Sequence, residues 1–519
     1  MIKLGFGNIV RGVLTVAFAA TVSVASADVL CLKDGRIYQD IDVSRDGANF
    51  VINFENGIVK VDGEQVLEAV LLNDTGYEPK SDEEREMIAS GKVLFDGKWV
   101  SVSRRDKLLS KRLEEQQELV DEMKRTSVWR NRIHEETKNF AFEVTIPANV
   151  FEELRDLVEI YFASFAKTFK VKRPRSIPKL PLRWYSDYDQ FLQVSGMPRG
   201  VMGFFTFVTP LDLNLFYDRL DRKGTEEVMY HEVGHFLHKL FDVDFKYPHW
   251  PGESLCEYYA ASTYDPVKKK LTTGGIQEGR LTQIQNDIAR GEWIHVKEMI
   301  LGCQDRNFED YSWGWSFVHY LMSNKKYAKK FTKFFPAIAL AKDIKRVRQQ
   351  FTPKIALKTV EGEELLRAFK KYMGFKTDAD LMELEKEWHE YITSELVVAS
   401  ATGLADAAYR NYRSGRPKKA LRLFGEAVEA GDLRAIDLHR YADLLNDEGE
   451  KEKAITTWRQ AIAADPLTAE FYVSLGESIL SGANDDDELE KEGRRLLKLS
   501  LEIAPDDPQV EKRVKKALK

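Results

Sequence analysis

The sequence predicts a multidomain α+β protein with three structural parts: a small N-terminal β-rich module, a mixed α+β domain and a C-terminal set of helical repeats. Short alternating runs separated by turn residues fill the chain up to about residue 100. Strand-like patterns then give way to helical ones, and the tail repeats with a fixed period. With 519 residues, the chain also exceeds the size that one hydrophobic core usually supports.

These changes of pattern set the domain boundaries that we expect. They are a signal peptide at 1–27, a β-rich module at 28–102, a charged helical linker at 103–137, the mixed domain at 138–396 and the helical repeats at 401–519.

The N-terminus has the pattern of an export signal. Lys3 and Arg11 precede an apolar run, and Ala-Ser-Ala at 25–27 offers a cleavage site before Asp28. The alternative is an uncleaved membrane anchor, but the run is short for a span, and no later stretch approaches that length. We therefore expect an extracytoplasmic protein, periplasmic or secreted, with no membrane span after cleavage.

Composition argues against several classes of partner and site. The net charge of -6 gives no electrostatic footprint for nucleic acid, which would need a basic domain or stripe. The three cysteines form no CxxC pair, which argues against a cysteine-based zinc site and against a disulfide scaffold.

Local patterns in the first part of the chain predict hairpins followed by a helix. Asn56-Gly57 lies between alternating runs at 50–54 and 58–61, and a second hairpin is expected over 91–100. Residues 104–126 are charged and lack turn residues, which is typical of a solvated helix.

The mixed domain is expected to begin with strands and to continue as helices. Strands are predicted at 140–146, 182–185 and within 201–217, with a helix at 150–169. From 225 to about 394 the pattern is mostly helical.

The tail contains an internal repeat. Four positions recur after 34 residues: Gly415 and Gly449, Ala420 and Ala454, Phe424 and Trp458, Ala427 and Ala461. Prolines at 466 and 505 follow the second and third units. The alternative is an ordinary helical bundle with a chance period, but this pattern resembles the tetratricopeptide repeat, which implies a surface for a protein partner.

The candidate chemistry lies in His-Glu-Val-Gly-His at 231–235. Residues four apart share one face of a helix, so His231 and His235 can bind one metal ion. Glu232 then lies beside the metal, where a carboxylate can take a proton from activated water. The motif alone is a moderate indicator, because two histidines on a core helix face give the same pattern.

A catalytic zinc site usually needs a third protein ligand. The segment from Glu253 to Tyr259 predicts a second helix, on which Glu253 and Glu257 share a face. Glu253 is the candidate ligand, and Glu257 is a candidate hydrogen-bond partner for a ligating histidine. The alternative is that both glutamates are solvated, but the apolar residues around them argue against a solvated helix. Four other residues compete as third ligand: His238, Asp242, Asp244 and His249.

These residues resemble the gluzincins of the peptidase MA clan. That family has Asn-Glu-Gly-x-Ala-Glu-Tyr after a Trp, and this chain has Gly-Glu-Ser-Leu-Cys-Glu-Tyr at 252–258 after Trp250. The resemblance covers about 138–395 and implies zinc ligands His231, His235 and Glu253, with Glu232 as catalytic base. Within the clan, the chain most resembles a poorly characterised exported family that combines this domain with tetratricopeptide repeats.

The substitutions within the family pattern leave every ligand in place. They are Gly252, Ser254 and Cys256, and we interpret Cys256 as a buried small side chain facing the histidine helix.

Two further segments fit the same interpretation. Residues 311–321 resemble a later helix of such domains, whose leading Tyr311 is a candidate hydrogen-bond donor to an oxyanion; the alternative is an aromatic core helix. The β-rich stretch at 203–217 either supplies an edge strand for a peptide or fills the core behind the helix.

We therefore expect an exported zinc-dependent metallohydrolase, a peptidase that acts on a peptide or protein substrate. The alternative from another class is an extracytoplasmic scaffold that binds peptide or protein without turnover. An open cleft that reaches the zinc position favours the enzyme, whereas a site plugged by Trp250 or the Tyr311 segment favours the scaffold.

Overall fold

The computed structural model describes residues 28–32, 37–71, 79–95, 97–302, 311–396, 400–431, 433–483, 486–505 and 507–519. The signal peptide expected at 1–27 and Cys303 lie outside the described residues. The chain forms two compact units, one up to Gln116 and one from Gln117.

The first unit is rich in β-structure. Its elements are β1 (Asp28–Leu32), β2 (Ile37–Asp46), β3 (Asn49–Phe54), β4 (Gly57–Val61), β5 (Val66–Val70), α1 (Asp82–Ala89), β6 (Lys92–Phe95), β7 (Lys98–Ser101) and the start of α2 (Val102–Thr126). The first five strands form an antiparallel sheet in the order β4-β3-β2-β1-β5.

Both predicted hairpins of this unit are confirmed. Phe54 pairs with Gly57, so Glu55 and Asn56 form a two-residue loop and Gly57 opens β4. The second hairpin pairs β6 with β7. The charged segment that follows is helical as α2, as its lack of turn residues predicted.

The second unit opens on a mixed sheet. Its elements are β8 (Ile133–Glu136), β9 (Phe140–Val144), α3 (Ala148–Phe169), β10 (Leu180–Tyr185), α4 (Tyr188–Ser195), β11 (Gly203–Thr206) and β12 (Asp212–Phe216). The strand order is β11-β12-β10-β9-β8, in which β9, β10 and β12 are parallel. The antiparallel strand β11 therefore forms one edge of this sheet.

Helices follow the sheet, as expected, with two short hairpins among them. These elements are α5 (Arg222–Lys239), α6 (His249–Ala260), β13 (Thr263–Asp265), β14 (Lys270–Thr272), α7 (Glu278–Ala289), α8 (Val296–Leu301), α9 (Tyr311–Ser323), α10 (Ala328–Leu340), β15 (Val347–Thr352), β16 (Ile355–Thr359), α11 (Gly362–Met373) and α12 (Asp378–Ser394). The helix α5 packs against β11, β12 and α6, and α6 packs in turn against α9.

Small residues let these three helices approach closely. A Cβ atom added at Gly234 of α5 would lie 2.9 Å from Sγ of Cys256 on α6. A Cβ atom at Gly314 of α9 would clash with Oγ of Ser254 on α6. Because real Cβ atoms do not approach so closely, glycine at both positions sets the helix spacing around the site.

Within its described residues, the tail has helices joined by short loops and no strands. Its helices are α13 (Ala401–Arg413), α14 (Pro417–Ala430), α15 (Ala435–Asp447), α16 (Lys451–Ala464), α17 (Ala469–Gly482), α18 (Asp487–Ile503) and α19 (Pro508–Ala517). Consecutive helices pack as the pairs α13 with α14, α15 with α16 and α17 with α18. Six of the residues that recur after 34 positions are buried, which explains the period: Ala420, Phe424, Ala427, Ala454, Trp458 and Ala461.

The protein therefore has a β-rich N-terminal region and a large helical part, an organisation compatible with the α+β class that the sequence predicted. Among the described residues, no helix combines the length and the apolar composition that crossing a bilayer requires.

Candidate metal centre

The helix α5 carries the two histidines on one face. Asp221 caps its N-terminus by accepting a hydrogen bond from the Gly224 N–H at 2.8 Å. One turn of helix separates His231 from His235, and their ring centroids lie 5.0 Å apart. Both rings present Nε2 in the direction of the neighbouring helix α6.

The helix α6 brings Glu253 to the same point. Its backbone is non-helical at Trp250, so the regular helical turns begin after that residue. Oε2 of Glu253 lies 3.2 Å from Nε2 of His231 and 3.3 Å from Nε2 of His235. Ligands placed tetrahedrally at about 2.0–2.1 Å from zinc are about 3.3 Å from one another. The three atoms therefore fit the ligand set of one metal ion.

Glu257 lies behind His231, one helical turn after Glu253. Its Oε1 is 3.3 Å from Nδ1 of His231. Its carboxylate also accepts hydrogen bonds from Arg280, at 2.6 and 3.1 Å, and from Gln277 at 3.0 Å. The side chain is buried and held from several directions, so it fixes the orientation of the His231 ring.

The charges of this cluster support one another. Burial lowers the pKa of His231, but its hydrogen bonds with Glu253 and Glu257 outweigh this and raise it to about 10. Burial raises the pKa of Glu257, but Arg280 and His231 hold it well below its usual range. The pKa of Glu253 is likewise held low against burial by His235 and His231. The carboxylates therefore stay ionised and favour a positive charge between them.

Glu232 follows His231 on α5 and is placed differently from the two ligand-side glutamates. It forms no hydrogen bond or ion pair with the described residues. Burial raises the pKa of its carboxyl, an effect that the neighbouring His231 and His235 oppose. A carboxylate with a raised pKa and no fixed partner suits a group that takes up and releases a proton.

A cleft reaches this site. A cavity of about 280 Å³, which we name the metal cleft, is lined by His235, Glu253, His249, Tyr311 and Phe351 among others. Phe351 comes from the hairpin β15–β16, which forms one wall. Trp250 does not plug the cleft, because it is 2% exposed and packs in the core instead.

Tyr311 begins α9 at the edge of the metal cleft. Its ring centroid lies 6.3 Å from that of His231 and 5.1 Å from that of His249. The Arg280 guanidinium lies over its ring at 5.1 Å from the centroid. Burial raises the pKa of the phenol, so Tyr311 remains a hydrogen-bond donor at neutral pH.

The four competitors for third ligand do not join His231 and His235 together. His238 lies beside His235 and 3.9 Å from Sγ of Cys256, in a group that does not include His231. Asp242 is paired with Lys358 at 2.8 Å, and Oδ1 of Asp242 accepts a hydrogen bond from the Asp244 N–H. His249 lines the metal cleft, while its pKa is lowered mainly by burial. Within the described ranges, the metal-capable group that includes both His231 and His235 takes Glu253 as its third member.

Cys256 has a contact that the sequence did not predict. It is fully buried, as expected, but its Sγ lies 3.5 Å from Nδ1 of His235 and 3.9 Å from Nε2 of His238. These three residues form the second metal-capable group among the described residues. Because the thiol faces the second ring nitrogen of His235, it influences which nitrogen carries the proton.

Comparisons with protein family models, with curated proteins and with solved structures find no match. The resemblance to gluzincins therefore stays an expectation from the sequence. His, Cys and Glu side chains that could hold a metal ion do lie together in the structure.

Proposed function

We propose that this chain is an exported zinc-dependent peptidase of the gluzincin type. The convergence of His231, His235 and Glu253 on one point carries this proposal. Glu257 contacts the other ring nitrogen of His231. Glu232 lies next to these ligands and has no hydrogen-bond partner among the described residues. A structural metal site does not require a carboxylate without a partner beside the metal, whereas hydrolysis requires one as a general base.

The donor set favours zinc among the common metals. Two imidazoles and one carboxylate form a three-ligand catalytic zinc set, which leaves a position for substrate or water. Metal binding displaces the proton from Nε2 of His231, whose pKa is raised in the metal-free site. Calcium and magnesium instead prefer sites built from oxygen atoms. When bound, the zinc ion supplies a Lewis acid that polarises a carbonyl and acidifies water.

The residues of the chain supply the proton transfers and the orientation. Glu232 takes the proton from the attacking water and delivers it to the leaving amine. Tyr311 donates a hydrogen bond from its phenol to the oxyanion that develops on the substrate carbonyl. Glu257 and Arg280 hold His231 in place while charge shifts at the centre.

The sheet edge supports a peptide as the substrate. The strand β11 is an edge strand, and it packs against α5, which carries the histidines. An extended peptide would add to this edge by main-chain hydrogen bonds. Phe205 of β11 has its ring 6.4 Å from that of His235, which brings the edge close to the metal ligands.

The export and partner expectations remain proposals that rest on sequence. The signal pattern at 1–27 supports an extracytoplasmic protein. The helical tail supports a role for a protein partner.

The function is tested with purified protein and a fluorogenic peptide library. We expect turnover that stops on treatment with a chelator and returns on addition of zinc. Glu232→Gln should bind zinc as well as wild type while losing turnover by at least about a hundredfold. The exposed Glu363→Gln on α11 is the matched control and should keep full activity. Full turnover in Glu232→Gln would contradict the proposed role of this residue.

A further inference from the structure

The first repeat helix, α13, forms a wall beside the candidate site. A cavity of about 350 Å³, which we name the α13 cavity, is lined by Val228, Tyr311, Tyr409, Arg413 and others. Tyr311 lines this cavity and the metal cleft, so the two spaces meet at this side chain. The tail is thus a structural part of the region in which a substrate would lie.

The contacts of α13 hold it firmly in this position. Arg410 is 3.3 Å from both Glu227 on α5 and Gln277. At the start of α13, Ser400 and Thr402 donate hydrogen bonds to Glu278 at 2.7 and 2.9 Å. These contacts fix the wall of the α13 cavity against the helices that build the metal centre.

Arg413 lines the α13 cavity and has one guanidinium nitrogen without a hydrogen-bond partner among the described residues. Its Nη1 donates to the hydroxyl of Tyr409 at 3.2 Å, but its Nη2 is buried and has no hydrogen-bond partner among the described residues. Its guanidinium carbon lies 5.2 Å from the ring centroid of Tyr188 and 5.8 Å from that of Tyr409. Two aromatic rings therefore hold a charged donor in place with one N–H group free for a ligand.

The acidic side chains of the same cavity are already engaged. Asp221 pairs with Arg440, Glu227 with Arg410 and Asp406 with Arg434. Asp218 accepts a hydrogen bond from the Leu220 N–H at 3.0 Å. Arg413 is therefore the cationic group of this cavity that is left to meet an anion.

The α13 cavity lies close to the candidate metal ligand His231, because both are on α5. It follows α5 from Val228 back to Gly224, which lies about 10 Å along the helix axis from His231. An extended peptide covers this length with about three residues. Met202, Phe216 and Val228 add an apolar lining, which suits the carbon stem of a side chain.

We propose that the α13 cavity is a substrate subsite in which Arg413 binds a carboxylate of the peptide substrate. The carboxylate comes either from an acidic side chain or from the C-terminus of the peptide. Guanidinium and carboxylate groups match through paired, charge-assisted hydrogen bonds. This subsite depends on the proposed peptidase function, and it specifies a peptide that carries a carboxylate as the class of substrate.

The test compares matched peptides. A proteome-derived peptide library first gives the cleavage profile of the wild-type protein. Three synthetic versions of the best substrate are then compared: one with glutamate and an amidated C-terminus, one with glutamine and a free C-terminus, and one with glutamine and an amidated C-terminus. We expect a preference in kcat/KM of at least about tenfold for one carboxylate version over the version that has none. The version that is preferred identifies the source of the carboxylate.

Two substitutions assign this preference to one residue. Arg413→Ala should reduce the preference to near one, and Arg413→Lys should restore part of it. Arg422→Ala replaces an exposed arginine of α14 and should keep the wild-type preference. Equal losses on all three peptides in Arg413→Ala would mean a structural role and would overturn the subsite, as would a wild-type protein with no carboxylate preference.

A binding measurement separates failure of the subsite from failure of the peptidase function. The same three peptides, with a fluorescent label, are titrated with the Glu232→Gln protein and followed by anisotropy; if the library shows no cleavage, three labelled hexapeptides with the same differences replace them. Tighter binding of a carboxylate version that disappears with Arg413→Ala supports the subsite even without turnover. Equal binding of all three peptides overturns it.

Discussion

Nδ1 of His231 lies 3.3 Å from Oε1 of Glu257, on the far side of the ring from Glu253. This relationship leaves Nε2 as the nitrogen that points to the metal position. A carboxylate behind a ligating imidazole fixes its tautomer and increases its basicity. Glu257, His231 and Glu253 thus form one connected unit.

Replacement of Glu257 by Gln should weaken metal binding. The variant keeps the shape of the side chain but removes the charge that faces His231 and Arg280. We expect a decrease in zinc affinity of about 10–100-fold, measured by competition with a chromogenic chelator. Glu363→Gln on the exposed face of α11 is the control, and equal zinc affinities of the two variants would argue against the role of Glu257.

Replacement of Tyr311 by Phe should lower kcat much more than it changes KM. The ring would still pack against His249 and Arg280, while the hydroxyl would be lost. Removing one donor to an oxyanion costs about 10²–10³ in kcat. Steady-state kinetics with the zinc content of each sample checks this, and a kcat within threefold of wild type would assign Tyr311 to the packing.

Replacement of Gly314 by Ala should separate α9 from α6. The added methyl group would clash with Oγ of Ser254, and overpacking of this kind costs about 1–3 kcal/mol. Denaturant unfolding of the single variant and of the double variant Gly314→Ala, Ser254→Ala measures the effect. The second change removes the clashing hydroxyl, so the double variant should recover part of the lost stability; no recovery would place the strain elsewhere.

The tail should lose stability as pH rises from about 4 to 7 because of Asp443. Burial raises the pKa of this carboxyl from 3.8 to about 7. Between these values the folded chain holds a proton that the unfolded chain has released, so the free energy of unfolding falls as the pH increases. Solvent reaches 42% of the side chain, so screening limits the loss to about 1–2 kcal/mol.

The variant Asp443→Asn cannot ionise and tests this pH dependence. Denaturant unfolding should show it gaining stability relative to wild type at pH 8 but not at pH 4. Asp487→Asn, at an exposed position of α18, is the control and should show no such change. The same difference from wild type at both pH values would remove Asp443 as the cause.

Local patterns in the sequence were enough to predict the two histidines and the two glutamates of the candidate site. The four-residue spacing of His231 and His235 fixes a common helix face, and the spacing of Glu253 and Glu257 does the same on the next helix. Turn chemistry likewise predicted the hairpin at Asn56-Gly57. Each of these features depends on residues that are close in the chain.

The other residues around the site come from distant segments of the chain, and no local sequence pattern predicts them. Arg280 and Gln277 reach Glu257 because the start of α7 lies beside α6 in the folded protein. Arg413 reaches the α13 cavity only because α13 packs on α7. Such contacts are decided by helix packing, and an arginine of this kind looks in sequence like any solvated charge.

X-ray diffraction from crystals grown with zinc, with data collected on both sides of the zinc absorption edge, tests the metal centre most directly. We expect one strong anomalous peak at about 2.0–2.2 Å from Nε2 of His231, Nε2 of His235 and a carboxylate oxygen of Glu253. The peak should vanish in His231→Ala and persist in the control His295→Ala, whose ring is exposed and lies 2.9 Å from Glu385. A wild-type crystal with no peak at these three side chains would show that they do not form a zinc site.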